Sequence, residues 1–406
     1  MKGTSRSLVP MTALLMLAGC SDLLDVEAPG TIADEDLNTK DAIAAIVVGM
    51  AFDMAESIDD SIETIALAAG ELFHGGSYNL GDVPTGLILP EDVNGEWGTM
   101  HQARWVAEQG VERIRGILTE AEFEKSFYVA RAYLFAGLAN RQLGENLCFT
   151  AIDGGPREPH TVHFPRAEGH FDEAIRIGQA AGTAGAQIVT AAYAGRASVR
   201  AWQGDWAGAV EDASKVPVGF VYVGRLSSDG ESNILAYETH DRFEYTVWGT
   251  EFQDRPNDPR APWEIIYNAD GTIARGANGN TPHYQQQKYE GSGDDIPLVK
   301  GTEMLVLRAE AALRNNDIAG AFARMNEARA HHAMTPLAVP ATATEAWRTL
   351  HAERAATVWL ENRHFWDVRR WFAESGPAHH DFLANRESHC IPISEEELQT
   401  NPNARG

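Results

Sequence analysis

Basic side chains are scarce in this sequence. Its 406 residues hold 33 Lys and Arg against 58 Asp and Glu, a formal charge of -25. So acidic a surface does not suit phosphate backbones, which need a basic face, and nucleic acid is excluded as a partner. Cysteine is scarce as well, three in all, so each one has to be accounted for singly. The 37 glycines are scattered and the prolines number 18, which leaves neither a collagen period nor a long disordered tract. What remains, 44% hydrophobic residues, supplies a real core for one large domain or two to three ordinary ones.

Catalytic signatures are missing too. Gly75-Gly76-Ser77-Tyr78 is followed by Asn79 where a nucleophile elbow needs glycine. Gly291-Ser292-Gly293 runs into Asp294-Asp295-Ile296, with neither a third glycine nor a P-loop lysine. His351-Ala352-Glu353 lacks the spacing that sets two imidazoles on one helical face. We therefore expect no enzyme, no cofactor and no catalytic metal. Asp294-Asp295 and the loop from Asp254 to Asp258 offer hard oxygen atoms of the kind calcium takes.

The N-terminus carries the most specific short motif. Lys2 and Arg6 precede an apolar stretch from Leu8 to Ala18, too short for the roughly 20 residues of a membrane span. It reads as a secretory signal over residues 1–19, and Leu17-Ala18-Gly19-Cys20 resembles the bacterial lipobox, with Cys20 the acylated first residue of the mature chain. Removing Lys2 and Arg6 leaves 31 basic against 58 acidic side chains, a charge of -27. An anionic body has no electrostatic hold on anionic lipid, so attachment rests on acyl chains at about 0.8 kcal/mol per buried methylene. With Cys20 acylated, Cys148 and Cys390 form an even pair in an oxidising compartment and are expected to bond; the alternative is two buried free thiols.

Beyond a tether over residues 20–40, apolar or small residues recur at helical spacing. The stripes are Phe171, Ala174, Ile175, Gly178; Trp206, Ala209, Val210, Ala213; and Ile318, Ala321, Phe322, Met325. The last two units align at an offset of 112, which superposes Gly204-Asp205-Trp206 on Asn316-Asp317-Ile318. Each copy sets a residue tolerant of left-handed backbone at a helix stop, followed by an aspartate able to cap the next helix. Such helix-turn-helix units resemble tetratricopeptide repeats, broken by long insertions. The expected fold is all-α, a single domain over 41–406, with helical pairs at about 41–216 and 301–375. Residues 217–300 are rich in aromatics, Gly, Pro, Asn and Asp without helical period, and read as loops and short strands. Loop-rich stretches also run from Phe73 to Trp97 and from Cys148 to Pro165.

At this point the residues resemble the SusD and RagB-like outer-membrane lipoproteins. Cys20-Ser21-Asp22-Leu23-Leu24-Asp25-Val26 with Pro29-Gly30 resembles the family's start. Glu303-Met304-Leu305, Arg308-Ala309-Glu310-Ala311 and Asn326-Glu327-Ala328-Arg329 resemble its repeat region. Glu353-Arg354, Glu361, Arg363, Phe365-Trp366-Asp367-Val368-Arg369-Arg370, Ile391-Pro392-Ile393 and Asn401-Pro402-Asn403 resemble its C-terminal part. Asp258-Pro259-Arg260 and Lys288-Tyr289 are further landmarks, while Asn362 stands where the pattern has a glycine. The resemblance implies a lipid-anchored protein of the outer membrane, facing the cell exterior, that lids a SusC-like TonB-dependent porin and captures an oligosaccharide or other small nutrient. It implies that the repeats face the porin, that loops opposite hold the ligand, and that no hydrolysis takes place.

Within the C-terminal landmarks, Glu353, Glu361 and Asp367 could pass for paired catalytic carboxylates. The i,i+4 spacing of Arg363 and Asp367, with Arg370 three further on, instead predicts an ion-pair network between helices. For sugar, a site needs aromatic platforms beside polar side chains. The candidates are Trp97, Trp248, Trp263, Tyr267 and Tyr284, with Phe73, Tyr78, Asn268, Asn278 and Gln286 in support. Each has a plainer alternative, an aromatic that pins its own loop to the helices. The acidic body disfavours a polyanionic glycan unless Arg255, Arg260 and Arg275 make a local basic patch. The competing function is an exported repeat scaffold that binds another protein.

Overall fold

The structure is a computed structural model and is described for residues 34–230 and 232–405. The expected signal segment 1–19, the expected acylated Cys20 and the expected tether up to residue 33 lie outside the described residues. The first described residues pair with the helices, Asp34 with Arg113 at 2.6 Å and Lys40 with Glu122 at 2.5 Å.

Helices dominate. They are α1 (Ile43–Ala68), α2 (Asn94–Ile117), α3 (Glu120–Phe123), α4 (Phe127–Asn146), α5 (His163–Ala180), α6 (Ala186–Trp202), α7 (Trp206–Ala213), α8 (Ile234–His240), α9 (Gly301–Arg314), α10 (Ile318–His331), α11 (Ala343–Thr357), α12 (His364–Phe372) and α13 (Glu395–Thr400). Successive members pack as pairs: α1 on α2, α4 on α5, α6 on α7, α9 on α10. The chain has an all-α, tetratricopeptide-like fold. Short α8 is a departure from the expected loop, because Asn233 caps it by accepting from the Ala236 amide at 2.9 Å and its few apolar positions pack beneath the insertion.

The expected stripes face inward. Phe171 on α5 is fully buried where α4 and α6 approach. A Cβ at Gly137 would sit 2.6 Å from its ring, and one at Gly195 2.3 Å, so both glycines are needed for the ring to fit. The helix stops form as read. Gly204 has φ of 87° and Asn316 φ of 59°, while Asp205 and Asp317 accept from the amides of Gly208 and Gly320 at 2.9 and 2.8 Å. Asn362 has φ of 63°. This explains how it stands in for glycine, since asparagine tolerates left-handed backbone, and its Nδ2 donates to Ser61 Oγ at 2.6 Å.

One apolar core runs through α1, α2, α4, α5 and α6, and a second joins α9, α10, α11 and Trp371 of α12. Among the described residues eight short strands make four antiparallel ribbons. The strands are β1 (Phe73–His74), β2 (Phe149–Ala151), β3 (Arg157–Pro159), β4 (Val221–Gly224), β5 (Tyr245–Thr246), β6 (Trp263–Ile265), β7 (Tyr284–Gln286) and β8 (Ile296–Lys300). They pair as β1 with β5, β2 with β3, β4 with β8 and β6 with β7. Cys148, just before β2, is bonded to Cys390 with Cα atoms 5.1 Å apart. Cys148 N donates to Ile391 O and Ile391 N to Asn146 O at 2.8 and 2.9 Å, so the C-terminal segment is tied to the end of α4. No helix among the described residues is long and apolar enough to cross a membrane.

Candidate functional site

The loop insertion folds around Thr246. Its Oγ1 donates to Pro282 O at 3.0 Å and accepts from the amides of Tyr284 and Trp248 at 2.8 and 3.1 Å. Val247 N reaches Tyr284 O at 2.8 Å. Ribbons β1–β5 and β6–β7 are thereby joined edge to edge, and four of the expected aromatics meet in two pairs on them.

In the β6–β7 ribbon Trp263 lies opposite Gln286 and Ile265 opposite Tyr284, so Trp263 and Tyr284 are diagonal neighbours on one face of the pleat. Their rings stack at 5.2 Å between centroids and 3° between planes, and both are half-buried. Trp263 Nε1 donates to Phe252 O at 2.9 Å, which fixes the indole. Phe73 and Trp248, also half-buried, meet edge to face at 5.9 Å. Tyr267, further along the same hairpin, is 59% exposed. Beside it Asn268 Nδ2 donates to Thr272 Oγ1 at 3.1 Å.

Other candidates are placed elsewhere. Trp97 is 4% exposed on α2, its ring against His101 at 4.5 Å between centroids, so it is a core residue with no face for a ligand. Gln286 is fully buried and holds Tyr289 O and Thr239 Oγ1. Tyr78 is exposed, yet the Arg242 guanidinium covers its ring at 4.9 Å and its hydroxyl donates to Glu238 at 3.3 Å. Asn278 closes its own turn by accepting from the amides of Asn280 and Thr281.

The C-terminal landmarks form the expected ion-pair network, with different pairings. Arg363 immediately precedes α12 without capping it and points away from Asp367, to Glu145 at 2.8 Å and Glu303 at 3.1 Å. A residue at the helix entrance lacks the turn geometry that makes i,i+4 neighbours meet. Asp367 is held by Arg354 and Arg370, each at 2.7 Å. Glu361 takes Lys288 and Lys300, both at 2.5 Å, and Glu353 takes Arg260 and Arg329, both at 2.7 Å. Burial alone would raise Glu303 and Glu310. The surrounding guanidinium groups, Arg363 and Arg354 for Glu303 and Arg370 for Glu310, bring each down to about 2. Arg260 is consumed in this network, and Arg275 bonds Asn280 O at 3.0 Å, so no triad of free arginines exists.

The candidate calcium oxygens are loop ties. Asp294 Oδ2 accepts from the amides of Glu290 and Gly291, Asp295 Oδ1 from Leu226 N, and Asp258 from Arg260. Among the described residues no three His, Cys, Asp or Glu are placed to hold a metal ion.

A cleft of about 570 Å³ lies between α11, the first turn of α12 and the 376–381 turn, lined by four histidines and two arginines. It gathers residues from segments far apart in sequence and has no spacing signature, which is why sequence reading passed over it.

With this geometry in place, residues 272–404 match the model of the SusD family. Solved structures align over nearly the whole chain. A SusD superfamily protein from Bacteroides thetaiotaomicron matches with a TM-score of 0.65 at 15% identity, over 91% of this chain and 98% of that one. A SusD/RagB family protein from the same organism gives 0.64 at 12%, over 89% and 94%. The chain has the fold of these SusD/RagB structures and matches the SusD family model over its C-terminal third. A SusD-like carbohydrate binding protein from Bacteroides vulgatus matches with a TM-score of 0.63 at 13% identity, over 89% and 96%. No curated protein matches the sequence. The SusD match spans the landmarks from Lys288 to Asn403, so the SusD-like signature coincides with the ion-pair network that joins α9, α11 and α12.

Proposed function

We propose that this SusD-like chain is a cell-surface lipoprotein that binds an oligosaccharide and passes it to a SusC-like TonB-dependent transporter, without acting as an enzyme. The Trp263–Tyr284 stack carries the reading. It is half-buried, indole-anchored and extended by exposed Tyr267 on one ribbon, a form suited to the apolar C–H face of a sugar ring. Phe73 and Trp248 supply a second aromatic pair, on the part of the insertion that Thr246 ties to Tyr284. The carbohydrate binding named for one structural neighbour agrees with this use. Residues 1–19 would be removed, Cys20 acylated and 41–406 act as one body on the tether.

Calorimetry against a panel of neutral oligosaccharides tests the site. An aromatic platform under a sugar ring contributes about 1 kcal/mol or more, so Trp263→Ala and Tyr267→Ala are expected to weaken binding of the preferred glycan about fivefold or further. Equal affinity in both variants and the wild type sinks the assignment.

A scaffold role has one observation in its favour. Phe52 and Trp105 are 46% and 51% exposed on α1 and α2, which Gln102 Nε2 and Asp53 Oδ1 clamp together at 2.7 Å. Such a patch suits a protein partner. Purification from the native membrane separates the readings: a co-isolated barrel supports transport, whereas a soluble partner in its place supports the scaffold.

A further inference from the structure

One face of the β6–β7 hairpin is apolar along its whole length. Trp263, Ile265 and Tyr267 stand at i, i+2 and i+4 of one strand, so the pleat turns all three to the same side. Tyr284 lies opposite Ile265 and Ile273 opposite Tyr267, and directly opposed residues of an antiparallel pair share a face. At the Trp263 end the ribbon enters the body of the protein, where Gln286 opposite is fully buried. From there outward the stripe opens: Trp263, Ile265, Ile273 and Tyr284 are half-buried, and Tyr267 is 59% exposed.

Two properties of this stripe select a ligand. The first is its straightness and length. Alternate residues of one strand lie nearly in line, and from Trp263 to Tyr267 they cover about 13 Å, more than a single sugar ring fills. A chain of rings that runs straight meets all of them, whereas a chain that coils leaves the surface after a ring or two. The second is its lack of charge. Of the charged side chains between Trp263 and Gln286, Glu264 alternates to the opposite side of the strand. Asp270 Oδ1 accepts from Thr272 N and Oγ1 at 3.0 and 2.6 Å, and Arg275 Nη1 donates to Asn280 O at 3.0 Å. The indole N–H of Trp263 is spent on Phe252 O. Affinity on such a face comes from stacking summed along the ligand, about two- to tenfold for each ring that finds a partner.

We infer that the ribbon selects an extended, uncharged oligosaccharide with equatorial linkages, of the β-1,4-linked pyranoside type, and holds it over several successive rings. Such a chain presents the apolar C–H faces of its rings along a straight line; α-1,4 linkages turn the chain into a coil. The inference rests on the ribbon being the saccharide site, and adds to that reading the shape, charge and length of what it takes.

Calorimetry on the full mature chain provides the test, with cellohexaose, xylohexaose and mannohexaose as straight probes, maltohexaose as the coiled counterpart, and shorter members of whichever straight series binds best. That series is expected to gain about two- to tenfold in affinity with each added ring until the stripe is covered and then to level off, with maltohexaose about tenfold weaker or more at equal length. Tyr267→Ala, an exposed change that spares the fold, should weaken the best hexaose about fivefold and bring the plateau to a shorter chain. If maltohexaose matches the straight hexaoses, or a disaccharide matches its hexaose, while Tyr267→Ala still weakens binding, the ribbon is the site and the selection of straight chains is wrong. If none of the straight hexaoses binds, the inference fails whatever other glycan the ribbon takes. If Tyr267→Ala and Trp263→Ala leave every affinity unchanged, the site assignment falls and the inference with it.

Discussion

Arg354 Nε donates to Asp367 Oδ2 at 2.7 Å across the α11–α12 junction, with both side chains at most 1% exposed. The same guanidinium reaches Glu303 on α9 at 3.0 Å, and Asp367 also accepts from Arg370. Three helices are thus joined through charges that water cannot reach. Removing one partner leaves the other buried and uncompensated. Asp367→Ala is therefore expected to cost about 3–5 kcal/mol in urea unfolding, while the folded fraction keeps its affinity for glycan. A loss under about 1 kcal/mol would mean the network is dispensable.

Trp97 makes a complementary test because it was a candidate platform and proves to be core. Trp97→Ala is expected to cost about 3–5 kcal/mol through the cavity it leaves, without altering saccharide affinity in the protein that remains folded. Trp263→Ala should do the reverse, since its ring is half-buried on a ribbon. Circular dichroism and calorimetry on both variants would reveal this crossing of effects.

The Cys148–Cys390 bond closes a span of 242 residues and ties the C-terminal strand-like segment to α4. Reduction, or Cys148→Ser with Cys390→Ser, is expected to lower stability by about 2–5 kcal/mol, chiefly by freeing the unfolded chain. Thiol titration of the unreduced mature protein should find no free thiol; two free thiols would contradict the bond.

What could be read in advance follows a physical divide. Helix pairs were legible because their signals are local: the 171–178 stripe, and the Gly204-Asp205 and Asn316-Asp317 stops, where backbone handedness and a capping carboxylate lie within three residues. The ion-pair network was legible as a network but not in its partners. Arg363 chose Glu145 and Glu303, more than 50 positions away, over Asp367 four residues on. The aromatic candidates show the same limit. Trp97 and Trp263 are alike in sequence, and only tertiary packing puts one under His101 and the other on a ribbon surface. The histidine cleft, gathered from loop 251–255, α11, α12 and turn 376–381, left no periodic trace at all.

Glu63 on α1 gives the protein a pH response with a definite sign. Its Oε1 is buried without a partner, Oε2 accepts from Tyr245 Oη at 3.1 Å, and burial, reinforced by the neighbouring Glu238 charge, raises its carboxyl to about 8. An unfolded glutamate titrates near 4.5, so between those values the native state holds a proton that the unfolded chain has lost. That contribution is complete below about 4.5 and declines as pH rises towards 8, by at most about 1.4 kcal/mol per pH unit. Lys288, lowered by burial to about 8, acts with the opposite sign between there and its ordinary range, but does so in wild type and variant alike. The difference between wild type and Glu63→Gln isolates the carboxyl. Chemical unfolding should find the two similar near pH 4.5 and the variant progressively the more stable from pH 5.5 to 8. A gap that stays constant across this range would show that Glu63 is ionised in the folded protein throughout.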